Sequence, residues 1–322
     1  MSKFNEFGDE VASARTADEG VRPPFLHPRR SIGLITAAAL GLYLLVRLLP
    51  TGTNLNHMDF RMTGKGALEF CDPLNPQFIP VVRVRSPVVL ALKGDRDPAL
   101  NQPVNFVLTM RTASGKSIAP EDLLVADTRK LHLLVADPTL SDYQHIHPEP
   151  GRRAGEWTFT LAPARAGLYR VFADFTPVAT ARGLYASAEF TVPGTVATVI
   201  QSPNTTWQAA GFNFELVLPP SFRAGQPADL RFQIESQGAV KRPVPLQPVM
   251  GAFAHLVAFD EARSGFAHLH PIETDLTKPP DPLRPVLNFK VTIPSPGRYA
   301  IWAQVNLGGN EIFVPFWVDV AP

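Results

Sequence analysis

Six of the eight histidines in this chain occupy one spacing that is used twice. His132, His145 and His147 lie in KLHLLVADPTLSDYQHIHPE, and His255, His268 and His270 lie in AFAHLVAFDEARSGFAHLHPIE. In each copy the second histidine follows the first at +13 and the third at +15, with a proline directly after. Imidazole is the commonest protein metal ligand and titrates near neutral pH. Three of them on one face would suit a first-row transition-metal ion, copper or zinc.

The elements that must position these rings are hairpins. LHLLVA and AHLVAF are apolar strand sequences, and the DPTLSD and DEARSG that follow are turn material. Pairing Asp137 with Asp142 sets His132 opposite His147, with His145 one diagonal step away on the same face. Pairing Asp260 with Gly265 does the same for His255, His270 and His268. Opposed side chains have Cβ atoms about 4.5–5.5 Å apart, close enough for three rings to share an ion. A slip of one residue would send the first histidine to the other face. The competing reading is structural: the H-x-H pairs bond to backbone or carboxylate, and each His-Pro marks where a strand leaves its sheet.

Asp174, in FADF, stands where the second copy has Gln304. It is a candidate fourth ligand, or an acceptor that fixes a histidine tautomer. In that role it would give the first triad a carboxylate where the second has a neutral amide, and a divalent ion would prefer the first. His57, Met58, Met62 and Cys71 form a softer donor set of the kind that suits Cu(I), at irregular spacing. No GxSxG, phosphate loop, HExxH or triad pattern is present, so the expectation is a binding protein and no enzyme.

Lys and Arg total 30 against 29 Asp and Glu, a balance that points away from nucleic acid. One cysteine excludes an intramolecular disulfide and a CxxC site. The 33 prolines and 22 glycines, among short β-branched runs, indicate an all-β chain rich in turns. SIGLITAAALGLYLLVRLL, residues 31–49, is near the ~20 residues that span a bilayer. Arg29 and Arg30 before it favour a cytoplasmic N-terminus, and Arg47 can snorkel to the far interface. No A-x-A-like cleavage site follows. The expectation is a single-pass protein of the cytoplasmic (inner) membrane with its C-terminal domains on the periplasmic side.

The duplication extends beyond the histidines. NQPVNFVLTMRTASGK parallels GQPADLRFQIESQGA, and AGLYRVFADF parallels PGRYAIWAQV. The interval is 123 residues at the first histidine and 130 at Gly-x-Tyr, which places an insertion in the proline-rich ETDLTKPPDPLRP. The predicted organisation is a cytoplasmic tail (1–30), an anchor (31–49), an irregular stalk (50–80) and two antiparallel β-sandwiches (81–193 and 195–322) of Ig-like or cupredoxin-like type.

LHLLVADPTLSDYQHIHPE, YRVFADFTP and MGAFAHLVAFDEARSGFAHLHP resemble a family of bacterial extracytoplasmic tandem β-sandwich proteins described as heavy-metal- or copper-associated. The resemblance runs from about Phe70 to the end. It implies the same sandwich fold and a metal role, with copper favoured over zinc. The runner-up is an Ig-like structural or protein-interaction module, and an accessory subunit of a membrane complex fits either reading.

Overall fold

A computed structural model describes residues 28–48, 55–60, 77–199 and 201–322. The described residues of the N-terminal unit form the helix α1 (Pro28–Leu48). Proline at its first position is pre-set for helical φ and lacks only an N–H that would be unpaired there anyway. The window Arg29–Val46 is apolar enough to cross a membrane, and a signal sequence near the N-terminus passes the same test. Leu49 and the side chain of Arg47, which enter the sequence-based anchor, lie outside the described residues, as do Met62 and Cys71.

The rest is mostly strand. The first domain holds β1 (Val88–Gly94), β2 (Val104–Thr112), β3 (Leu123–Leu124), β4 (Leu131–Ala136), β5 (Tyr143–Ile146), β6 (Glu149–Pro150), β7 (Glu156–Leu161), β8 (Gly167–Pro177) and β9 (Leu184–Val192). The second holds β10 (Thr206–Ala209), β11 (Phe212–Val217), β12 (Pro227–Ser236), β13 (Leu246–Gln247), β14 (His255–Asp260), β15 (Phe266–Leu269), β16 (Val286–Thr292), β17 (Gly297–Leu307) and β18 (Asn310–Val320). Each domain is an antiparallel sandwich, as the alternating strands and turn signals predict. An outer sheet (β1-β2-β7-β6, or β10-β11-β12-β16) faces a sheet built on the histidine hairpin (β5-β4-β8-β9, or β15-β14-β17-β18). Leu133, Val135 and Tyr169 meet Leu108 and Trp157 inside the first; Leu256, Ala258 and Ile301 meet Phe232 and Phe289 inside the second.

The two hairpin sheets also pack against each other. Every residue of β4 is buried, not every second one. Its odd-numbered residues, Leu131, Leu133 and Val135, enter the sandwich interior. Leu134 and Ala136 instead join Tyr143, Phe172, Val257, Phe259 and Trp302 in a third core between the domains. A sheet covered on both faces reads as a continuous apolar run rather than an alternation. The histidines occupy this shared face.

Parts of the segment read as stalk are bound into the sandwiches. Leu55 and Phe60 lie in the first core, and Asp59 pairs with Lys116 at 2.7 Å. Phe78 enters the second core, and Ile79 exchanges backbone hydrogen bonds with Phe266. At Gly265 a Cβ would collide with the Ile79 carbonyl and the Pro80 backbone. Gly265→Ala is therefore expected to expel this strap and lower the unfolding midpoint by several degrees, since overpacking costs about 1–3 kcal/mol. Differential scanning calorimetry of Gly265→Ala against the parent protein reads the loss, and an unchanged midpoint would show that the strap tolerates the added carbon.

Candidate metal centre

The hairpin registers place the histidines as the spacing predicts. Leu134 pairs with His145 and Leu133 with Ile146, so His132 faces His147 at the hairpin's open end. In the second copy Val257 pairs with His268 and Leu256 with Leu269, so His255 faces His270. The turns hold these registers. Asp137 accepts from the backbone N–H groups of Thr139, Ser141 and Asp142, and Asp260 accepts from Ser264 N–H and Oγ. Each triad offers three ring nitrogens within 4.8 Å of one another.

The hydrogen bonds fix where the ring protons sit. His132 Nε2 lies 3.0 Å from the Ala126 carbonyl, which can only accept, so Nε2 carries the proton and Nδ1 a lone pair. His145 Nδ1 lies 2.8 Å from Gln304 Oε1. The Gln304 amide is oriented by its own Nε2, which donates to Glu311 at 2.8 Å, so His145 is the donor and its Nε2 holds the lone pair. These two lone pairs face each other at 3.2 Å in a buried place. The second copy repeats the arrangement. His255 Nε2 donates to the Val249 carbonyl at 3.0 Å, His268 Nδ1 lies 3.3 Å from Asp174 Oδ2, and the remaining nitrogens face each other at 3.3 Å. Two donors bound to one tetrahedral ion at about 2.0–2.1 Å stand about 3.3 Å apart. The third member of each triad, His147 or His270, has a buried Nε2 with no hydrogen-bond partner.

The supporting residues cross between domains. Gln304 of the second domain holds His145 of the first, and Asp174 of the first holds His268 of the second. The rings of His145 and His268 lie 5.4 Å apart, nearly perpendicular, so the two triads are neighbours in one cluster. This corrects the sequence-based assignment of Asp174. It does pair with His132 across β4 and β8, but its hydrogen bond to a triad histidine is with His268, so the carboxylate serves the second triad. A second carboxylate also belongs there: Asp127 Oδ2 lies 3.5 Å from His270 Nε2. Asp127 was missed from sequence; the signal was its position in a turn five residues before His132.

The profile of a domain of unknown function, DUF8832, matches residues 87–196 and again residues 207–322. The chain belongs to the DUF8832 family. No curated protein matches it. Solved structures similar to it include trypsin-activated alpha-2-macroglobulin from Escherichia coli, at 14% identity and TM-score 0.22. That alignment covers 73% of this chain and 18% of the other, a likeness too slight to inform fold or function. The two DUF8832 repeats coincide with the two sandwiches, and each contributes one triad.

Burial sets the protonation of both DUF8832 triads. Desolvation is the largest cause at every ring and lowers all six pKa values. It brings His147 to about 4 and His255 to about 3, and holds His145 and His268 well below the usual range. His132 and His270 are lowered as well, each partly restored by Asp127. Asp174 moves the other way: burial, with Asp127 nearby, raises its carboxyl to about 7. The rings are thus neutral at neutral pH, the form that ligates metals.

Proposed function

We propose that this protein binds transition-metal ions at its paired histidine triads, copper first and zinc second, and holds or hands them over rather than transforming a substrate. One observation carries the reading. In the first triad two lone pairs are locked face to face at 3.2 Å by acceptors behind each ring. Such a contact is repulsive unless a cation lies between, and burial disfavours a proton there. His270 is partly exposed, with 37% of its side chain accessible, which gives an ion a way in. Helix α1, with Arg29 and Arg30 in its first turn, would anchor the sandwiches outside the cytoplasm.

The structural-module reading also has an observation in its favour: His132 and His255 brace the turns at Ala126 and Val249. Metal titration of the full chain in detergent separates the two. His145→Ala with His147→Ala is expected to remove one bound ion per chain. Unchanged stoichiometry would sink metal binding at the first triad and favour the structural role.

A further inference from the structure

We infer that the two triads take ions of different class, because each domain lends the other's triad a different fourth donor: Asp127 to His255/His268/His270, and Met250 to His132/His145/His147. This inference rests on the metal-binding reading and deepens it.

The first half is read directly from distance. His270 Nε2 is buried, makes no hydrogen bond, and has Asp127 Oδ2 3.5 Å away. A fourth ligand on a tetrahedral ion stands about 3.3 Å from each of the other three, given bonds of about 2.0–2.1 Å. Asp127 thus stands against the partnerless nitrogen of the second triad, placed to turn onto an ion held there, and it comes from the opposite domain.

The second half follows from the repeat. Asp127 lies five residues before His132, and Met250 lies five before His255. The two turns are the same device. Ala126 bridges to Arg129, and Val249 bridges to Ala252. Both central residues have positive φ in each, 47° and 69° at Asp127 and Thr128, 49° and 77° at Met250 and Gly251. The residue opening each turn accepts the ring proton of its own domain's first histidine. The turn tips approach each other, since a Cβ on Gly251 would lie 3.5 Å from Thr128 Cγ2. The partners that support the triads are exchanged between the repeats: Gln304 reaches His145 and Asp174 reaches His268. The same exchange that takes Asp127 to His270 would carry Met250, a partly buried side chain, to His147. His147 Nε2 is the other triad nitrogen buried without a partner.

The donor sets then differ in kind. Three imidazoles with a carboxylate ligand, and a second carboxylate behind His268, compensate the charge of a divalent ion. Three imidazoles with a thioether and a neutral amide behind His145 suit Cu(I). One domain pair would hold a monovalent soft ion and a divalent ion side by side.

The test uses the full chain in detergent with two probes, Cu(I) under anaerobic conditions and Co(II) as a visible-absorbing divalent ion. Met250→Leu is expected to remove a copper–sulfur shell from the X-ray absorption spectrum and weaken Cu(I) binding at least tenfold, leaving the Co(II) spectrum unchanged. Asp127→Asn is expected to weaken Co(II) at least tenfold and shift its bands, leaving Cu(I) binding unchanged. If both triads still bind but neither variant discriminates the ions, or no sulfur shell is present in the parent protein, the inference is overturned and metal binding stands. If His145→Ala and His268→Ala leave both ions bound, the metal-binding reading itself falls.

Discussion

If the triads bind metal as proposed, Phe259→Ala is expected to weaken binding at both at once, although Phe259 belongs to only one domain and is no member of either triad. Phe259 is fully buried in the core between the domains. Its ring lies 5.5 Å from Tyr143 and 5.9 Å from Phe172, both on the first domain. Truncating a buried phenylalanine costs about 3–5 kcal/mol, because the site collapses only partly around the lost ring. That loss falls on the contact that brings Gln304 to His145 and Asp174 to His268. Loss of such supporting partners weakens metal affinity by about 10–100-fold. The expected result is a lowered unfolding midpoint together with at least tenfold weaker binding at the first triad and at the second. Isothermal titration with Cu(I) and Co(II) reads the two sites. Weakening confined to His255, His268 and His270 would show that the domains do not share their supporting shells.

The hairpins were legible because local signals agree. The Asp-rich turns, the +13 and +15 spacing and the following proline admit one register, and Asp137 and Asp260 anchor it through their own carboxylates. The outward direction of the histidine face was less plain. LHLLVA is apolar at five of its six positions, so a period of two cannot mark a solvent side. That continuity is itself the signature of a strand covered on both faces, here by the second domain. The exchange of partners could not be read from either repeat alone. Asp174 lines up with Gln304 by sequence, and the alignment is right, but which triad each serves depends on how the domains are stacked. Asp127 and Met250 were within reach of the sequence at the same interval of 123 residues as the first histidines. They were hidden because the histidines end the obvious motif and the turn before them looks like ordinary connecting chain.

Acidification from pH 7 to pH 5 is expected to destabilise the metal-free protein, and the sign follows from the direction of the histidine shifts. Above pH 6.5 a ring such as His255 is neutral in both folded and unfolded chains and contributes nothing to the pH dependence. Below 6.5 the unfolded chain takes up a proton that the folded state refuses until about pH 3, so stability falls as the pH falls. Through the interval from 6.5 to 5 this amounts to about 2 kcal/mol for His255, at about 1.36 kcal/mol per unit. Asp174 opposes it. Its folded carboxyl takes up a proton near pH 7 and its unfolded one only near 3.8, so acidification stabilises through that group by a similar amount. One carboxyl therefore cancels about one ring, and five other rings with lowered pKa values remain. They share one cluster and repel one another when charged, so they do not add in full. The net is a fall in the unfolding midpoint of about 5–10 °C between pH 7 and pH 5, by calorimetry. His255→Ala should reduce that slope. Saturating metal should raise the midpoint by a similar amount across this range and leave its slope in place, because the ion binds only the folded state, whose rings are already neutral, while the unfolded chain still takes up protons. A midpoint that stays level or rises in the metal-free protein as the pH is lowered would mean that these rings are not held neutral by burial.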